Sequence, residues 1–199
     1  MDVVAPLKEA AGMIKEAGGD MFDLCFQCGL CTVSCPWNQV RTFMPHKIMR
    51  QSQLGLVDLE DEVCWLCTTC HLCVSRCPRG VPITEIMGAA RTIFLEYQYN
   101  MAAASLRTAM GSLSSEGNPW GGKRKHRADW AEDLGVSAYT ELNSFLYYPG
   151  CVLAYDPGLK SIAEATVGIL QKMRTTFGIL GSKESCCGES IRKAGNETL

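Results

Sequence analysis

The sequence predicts an α-helical N-terminal domain stapled through its cysteines, then a linker, then the start of a smaller α/β domain. Three observations predict it. Twelve cysteines occur in 199 residues, and most fall in two short blocks of the same spacing. Apolar residues around those blocks recur at offsets of three and four, the helical period. Beyond residue 142 the pattern becomes strand, helix, strand and helix, which implies parallel pairing in a small α/β unit.

A hydrophobic fraction of 47% with 20% charged residues suits a folded chain. The formal net charge of −2 provides no basic field for nucleic acid, so that partner class is not expected. The opening "MDVVAPLKEA" lacks a basic segment followed by an apolar core, so no secretory signal is read and a cytoplasmic, reducing setting is expected. In that setting clustered cysteines bind metal or do chemistry rather than form disulfides. No apolar run approaches the roughly 18 residues a spanning helix needs, so direct membrane insertion is not expected, and attachment to a membrane-bound partner stays open. The glycosylation match Asn196-Glu197-Thr198 reads as chance in that compartment.

The elements follow in order. "PLKEAAGMIKEAGGD" predicts a short amphipathic helix, with Pro6 in its first turn and Gly18-Gly19 stopping it. "PHKIMRQSQLG" predicts a second helix, from Pro45 to the stop at Gly55, and Asp58–Glu62 leads into the second cysteine block. Ile83, Ile86, Met87, Ala90, Ile93, Phe94 and Tyr97 lie on one apolar face and predict a single long helix from Ile83 to about Met110. "GSLSSEGNPWGGKRKHRADW" lacks sustained periodicity and reads as a linker, its run Lys123–Arg127 most simply a solvated surface with partner docking as the alternative. "SFLYYPGC" and "TFGIL" read as strands, "DPGLKSIAEATVGILQKM" as a helix, and "CCGES" as a turn into a final helix. The expected domains are 1–112, a linker over 113–142, and 143–199.

The first block is Cys25, Cys28, Cys31 and Cys35 before Pro36; the second is Cys67, Cys70, Cys73 and Cys77 before Pro78. Both match C-x2-C-x2-C-x3-C-P, a run in which three closely spaced sulfurs wrap one iron–sulfur cube and the fourth reaches elsewhere. In two-cluster ferredoxins that fourth cysteine ligates the other run's cluster. By that rule Cys25, Cys28, Cys31 and Cys77 hold one [4Fe-4S] cluster, and Cys67, Cys70, Cys73 and Cys35 hold the second. Cys64 falls outside the pattern, and the simplest reading is a buried thiol beside a cluster, with a ligand or redox role as the alternative. Structural zinc usually takes cysteines as two separated pairs, so a zinc-stapled scaffold is the less specific reading.

Residues between the ligands carry weaker signals. Gly29 is expected to let the backbone approach the cube. His71 either donates a hydrogen bond to sulfur or lies exposed. Trp37 and Trp65 are expected to shield the clusters from water, which itself tunes potential.

"CTTCHLCVSRCPRGVPITEIM" resembles the small iron–sulfur subunit of heterodisulfide reductase, and "PGC" at Cys151 with "CCGES" at Cys186-Cys187 resembles the first part of that enzyme's cysteine-rich CCG domain. Both on one chain are similar to the fused catalytic subunit and to related subunits of bacterial complexes for dissimilatory sulfite reduction and class II benzoyl-coenzyme A reduction. The resemblance implies an α-helical ferredoxin-type domain with two [4Fe-4S] clusters, followed by the start of an α/β CCG domain. It implies an electron-transfer subunit of an anaerobic oxidoreductase, relaying single electrons toward a CCG-domain thiol/disulfide-type site and partnered by other redox subunits, including a flavin protein. In the family the CCG motif continues to a later C-x-x-C and binds a non-cubane cluster; here only Cys151, Cys186 and Cys187 match. The resemblance therefore implies the front portion of a longer protein, with an incomplete terminal catalytic site. An iron–sulfur adaptor of a flavin dehydrogenase such as glycolate oxidase is the alternative within the same chemistry.

Overall fold

The structure is a computed structural model that describes residues 6–57, 63–98, 101–196 and 198. The lead-in at Asp58–Glu62, the middle of the glycosylation match and two residues of the expected long helix lie outside the described residues. The chain divides into two compact units, one running to Met101 and including Ser190–Thr198, the other Ala102–Glu189.

In the first unit α1 (Lys8–Glu16) buries Ala10 and Ile14, one turn apart on the same face. It stops at Gly18, whose φ of +87° few other residues adopt. Helix α2 (Leu30–Ser34) follows the first two cysteines of block one and carries the third, and α3 (Pro45–Leu54) starts on a proline, which costs nothing where the N–H has no partner anyway. Gly55 caps α3 in the left-handed region, φ +63°, and its carbonyl accepts from the Leu7 N–H at 2.8 Å, tying the start of α1 to the end of α3. Helices α4 (Val63–Leu66) and α5 (Leu72–Ser75) bracket the start of block two, and α6 (Ile83–Gln98) packs on both and on α1. The core of this unit combines Ile14, Phe22, Phe43, Ile48, Met49, Val81, Ile83, Ile86, Met87 and Ile93 with Cys31, Cys64 and Cys73.

The expected long helix is two helices. α6 ends at Gln98, and α7 (Ala104–Glu116) begins after Ala103, whose ψ of 136° is extended. The apolar face from Ile83 to Phe94 is buried inside α6, whereas Tyr97, counted on that face, is 72% exposed. Continuous apolar composition concealed the break, which falls where one unit gives way to the other.

In the second unit, β1 (Phe145–Leu146) pairs in parallel with β2 (Phe177–Gly178), joined through α8 (Gly150–Tyr155) and α9 (Lys160–Lys172). The parallel pairing is as expected, but among the described residues the sheet has only these two register pairs and an isolated Ala138–Ile179 bridge. Residues 113–142, expected as a linker, contribute to the core of this unit. Trp130 and Ala131 join Ala154, Ala163, Val167 and Ile179 in the core, and Trp130 meets the Tyr147 ring edge-on at 6.1 Å. Asn118 is fully buried, its side chain holding the Gly122 carbonyl and the Trp120 N–H in a tight loop. A final helix, α10 (Glu189–Lys193), follows the cysteine pair as expected, and from Ser190 on it belongs to the first unit. Among the described residues no helix is long and apolar enough to cross a membrane.

A Cβ placed on Gly55 would lie 2.5 Å from the Leu7 carbonyl oxygen. Gly55→Ala should therefore destabilise the first unit by about 1–3 kcal/mol, from the clash and the positive φ together. Anaerobic chemical denaturation checks this; an unchanged midpoint would show that the α1–α3 junction relaxes freely.

Candidate iron–sulfur sites

The two cysteine runs fold alike. In the first, Gln27 and Gly29 take left-handed backbone at φ +65° and +78°; in the second, Thr69 and His71 do so at +54° and +61°. Each pair of left-handed residues curls the loop so that its three leading cysteines face a common space, and a short helix then carries the chain to the fourth cysteine. Gly29 supplies this conformation without a side-chain penalty, and His71 adopts it at the equivalent place despite its side chain.

Two small cavities result. One is lined by Cys25, Cys28, Cys31 and Cys77, with Gly29, Leu30, His46, Met49, Val81 and Ile83. The other is lined by Cys35, Cys67, Cys70 and Cys73, with Trp37, Phe43, Pro45, Ile83, Thr84 and Met87. Each cavity thus receives three thiols from one run and the fourth from the other. Ile83 stands in the wall of both. Cys64 is buried and lines neither cavity.

The chemistry of these pockets fits a thiolate-bound cluster. Burial pushes the Cys73 thiol up to about 12, with neighbouring Cys67 and Cys31 adding to the effect. Burial also raises Cys31 and Cys35, against hydrogen bonds from Thr32 and from the Trp37 backbone respectively. Crowded, buried thiols keep their protons unless a cation replaces them, so metal binding releases protons here. Donors already face sulfur: the Val81 N–H reaches Cys77 Sγ at 3.4 Å, and Gln27 Nε2 reaches Cys25 Sγ at 3.3 Å. The indole Nε1 of Trp37, in the wall of the second cavity, is buried without a hydrogen-bond partner among the described residues. A cluster sulfur is an acceptor suited to such a donor. Among the described residues no three Cys, His, Asp or Glu side chains converge closely enough for a single metal ion.

The intervening residues differ in part from expectation. His71 is exposed and its Nδ1 shares a hydrogen bond with Thr84 Oγ1 at 3.1 Å, so that nitrogen is engaged by a hydroxyl. Trp65 lines neither cavity; it packs edge-on against Phe94 at 5.7 Å, with the Arg91 guanidinium 5.5 Å from its ring. Arg91 itself is 5% exposed and donates to the carbonyls of Cys64 and Cys67. Sequence reasoning passes over it, because a lone arginine in an amphipathic helix reads as a solvated residue.

The third cysteine set lies in the second unit. Cys151, at the start of α8, is buried; Cys186 is half-buried and Cys187 exposed. Arg127, expected on a solvated surface, is instead 2% exposed, and both its terminal nitrogens lie 3.4 Å from Cys151 Sγ. Glu184, equally buried, accepts from Arg127 Nε at 3.1 Å and Nη2 at 2.5 Å, and from the Gly150 N–H at 3.2 Å. Burial pulls the Arg127 pKa down, but hydrogen bonds to Glu184 and Cys151 outweigh it and the group stays charged. Burial pushes Cys151 up to about 11, with the Arg127 hydrogen bond opposing it. Tyr148 completes the surround by donating to the Ser185 carbonyl.

Comparison with known proteins agrees with this arrangement. The 4Fe-4S dicluster domain family matches residues 21–81, and the cysteine-rich domain family, CCG, matches residues 145–199. The chain is 34% identical over 159 residues to EtfAB:quinone oxidoreductase of Syntrophomonas wolfei, covering 76% of this chain and 22% of that protein. It is 44% identical over 86 residues to a subunit of H(2):CoB-CoM heterodisulfide,ferredoxin reductase of Methanothermobacter thermautotrophicus, covering 42% and 46%. It is 46% identical over 88 residues to an iron-sulfur subunit of CoB-CoM heterodisulfide reductase of Methanopyrus kandleri, covering 43% and 45%. The chain spans less than half the length of each of these relatives. A dicluster domain and a cysteine-rich domain on one chain define an iron–sulfur protein. Within that class this chain matches the iron–sulfur subunits of heterodisulfide reductase over its dicluster domain, here joined to a cysteine-rich domain.

Arg127→Met would leave the Glu184 carboxylate buried and unpaired, so it should destabilise the second unit by about 3–5 kcal/mol, whereas Arg127→Met with Glu184→Leu should recover much of the loss. Denaturant-dependent hydrogen exchange of amides in 102–189 measures both. A loss under about 1 kcal/mol for the single variant would mean that water reaches the carboxylate.

Proposed function

We propose that this chain is the electron-transfer iron–sulfur subunit of a heterodisulfide reductase-like oxidoreductase complex. Cys25, Cys28, Cys31 and Cys77 hold one [4Fe-4S] cluster, and Cys35, Cys67, Cys70 and Cys73 hold the other. The observation that carries this reading is the lining of two separate cavities by those two sets of four thiols. Such clusters, when bound, supply one-electron storage at low reorganisation. The protein's own contribution is to hold the thiols, to wall the sites with Met49, Met87, Phe43 and Ile83, and to aim N–H donors at sulfur.

Cys151, Cys186 and Cys187 belong to a CCG site that takes a non-cubane iron–sulfur cluster, with Arg127 offsetting negative charge at Cys151. The partners are other redox subunits, one of them a flavin protein. The names of the relatives differ in what they act on, quinone in one and CoB-CoM heterodisulfide in the other. What this chain takes from them is the role of a relay between redox subunits, in an anaerobic cytoplasmic setting or docked to a membrane-bound partner.

Iron, zinc and acid-labile sulfide should be measured on anaerobically purified chain, followed by low-temperature EPR after dithionite reduction. About eight irons in two cubanes, with spectra broadened by mutual interaction, are expected for the helical unit. Cys28→Ser and Cys70→Ser, both at exposed positions, should each perturb one of the two signals. A colourless protein with stoichiometric zinc would return the chain to the scaffold class.

A further inference from the structure

The two halves of the helical unit correspond closely, and at one pair of equivalent positions the charge differs. Met49 on α3 lines the first cavity and Met87 on α6 lines the second. One helical turn beyond each methionine stand Gln53 and Arg91. Gln53 Nε2 donates to the carbonyls of Phe22 at 2.9 Å and Cys25 at 2.8 Å. Arg91 donates to the Cys64 carbonyl from Nε at 3.0 Å and Nη2 at 2.7 Å, and to the Cys67 carbonyl from Nη2 at 2.5 Å. Cys25 and Cys67 are the leading cysteines of their runs, and Phe22 and Cys64 each stand three residues before them. The same anchoring task is thus done by a neutral amide in one half and a guanidinium in the other.

The guanidinium is fixed in place. Its Nη1 donates to the Lys193 carbonyl at 2.6 Å, and it lies against the ring of Trp65. Burial pulls its pKa down, yet an arginine stays protonated in proteins. Among the described residues its partners are carbonyls and an aromatic ring, none of them a carboxylate, so its charge is not cancelled locally. A buried charge such as Arg91 is screened far less than exposed ones such as Arg76 and Arg79.

We infer that Arg91 sets the order of the two potentials: its buried positive charge behind Cys67 makes reduction at the Cys35, Cys67, Cys70, Cys73 site easier than at the Cys25, Cys28, Cys31, Cys77 site, where Gln53 brings no charge. A one-electron donor partner then delivers to the first site, and the electron moves on to the second. One electron leaves one site and arrives at the other, with no bond made or broken and no proton required. The inference rests on the proposal that both sites hold [4Fe-4S] clusters.

EPR-monitored redox titration of the full chain tests it, with iron and sulfide quantified in every sample and Cys28→Ser and Cys70→Ser assigning the signals. Arg91→Gln should lower the second site's potential enough to change the electron partition between sites at least tenfold, which is about 59 mV for one electron. Arg91→Lys should keep most of the difference, and Gln53→Arg should raise the first site's potential. An Arg91→Gln chain with two intact cubanes and an unmoved partition would overturn the inference while leaving the cluster reading intact. Where Arg91→Gln does not assemble, Gln53→Arg decides: a raised first potential supports the inference and an unmoved one overturns it. A parent chain without two cubanes removes the cluster reading and this inference together.

Discussion

The crosswise supply of thiols is the constraint on which the helical unit depends. Each cavity takes its fourth thiol from the opposite run, so neither half can complete its own set. Cys77 lies just beyond α5 and reaches the first cavity, and Cys35 lies just beyond α2 and reaches the second, which brings α2 and α5 together at the centre of the unit. The long helices then serve as braces: α3 closes one half through Met49, and α6 closes the other through Met87. Ile83 belongs to both walls and so packs against both sites. The raised thiol pKa values follow from the same geometry, since packing sulfurs in apolar surroundings disfavours thiolates until a cation neutralises them. On the proposed reading, loading of metal at these thiols is linked to folding of the unit.

The second unit solves a similar problem with an ion pair. Arg127 and Glu184 lie far apart in sequence yet meet in the interior, and Cys151 is held against the guanidinium. Charges are buried at a cost of several kcal/mol unless paired and hydrogen-bonded, so such a pair persists where a specific arrangement is needed. Here it fixes the start of α8 through the Gly150 N–H and keeps a cation beside the Cys151 sulfur.

What is legible in the sequence is whatever spacing encodes locally. Pro45 and Gly55 bracket α3, and Gly18-Gly19 end α1, because each acts through its own backbone. The runs of cysteines are legible because three sulfurs on one loop require that spacing. The positions that escape are those whose meaning comes from a distant partner. Arg127 sits in "KRKHR", where composition says solvent, and only Glu184 reverses that reading. The stretch between α6 and α7 reads as continuous helix because Met101, Ala102 and Ala103 favour one, while the division between units decides otherwise. Residues 113–142 lack periodicity because they fold largely as short turns around Trp130, a kind of packing that leaves no repeat to detect.

The near-equivalence of the two halves carries a physical difficulty of its own. Two sites with the same ligands, the same loop conformation and the same helical brace tend toward the same potential, and a relay of equal sites has no preferred direction. Ligand motifs cannot supply the difference, because they are what the halves share. It has to come from groups just outside the ligands, where a side chain can change charge while preserving the hydrogen bonds that hold the loop. Gln53 and Arg91 meet that description: both anchor two carbonyls at and before a leading cysteine, so the loop geometry is kept while the electrostatic field is not. On the proposed reading, the binding of clusters and the ordering of their potentials are written in different layers of the sequence, the first in spacing and the second in the residues that spacing ignores.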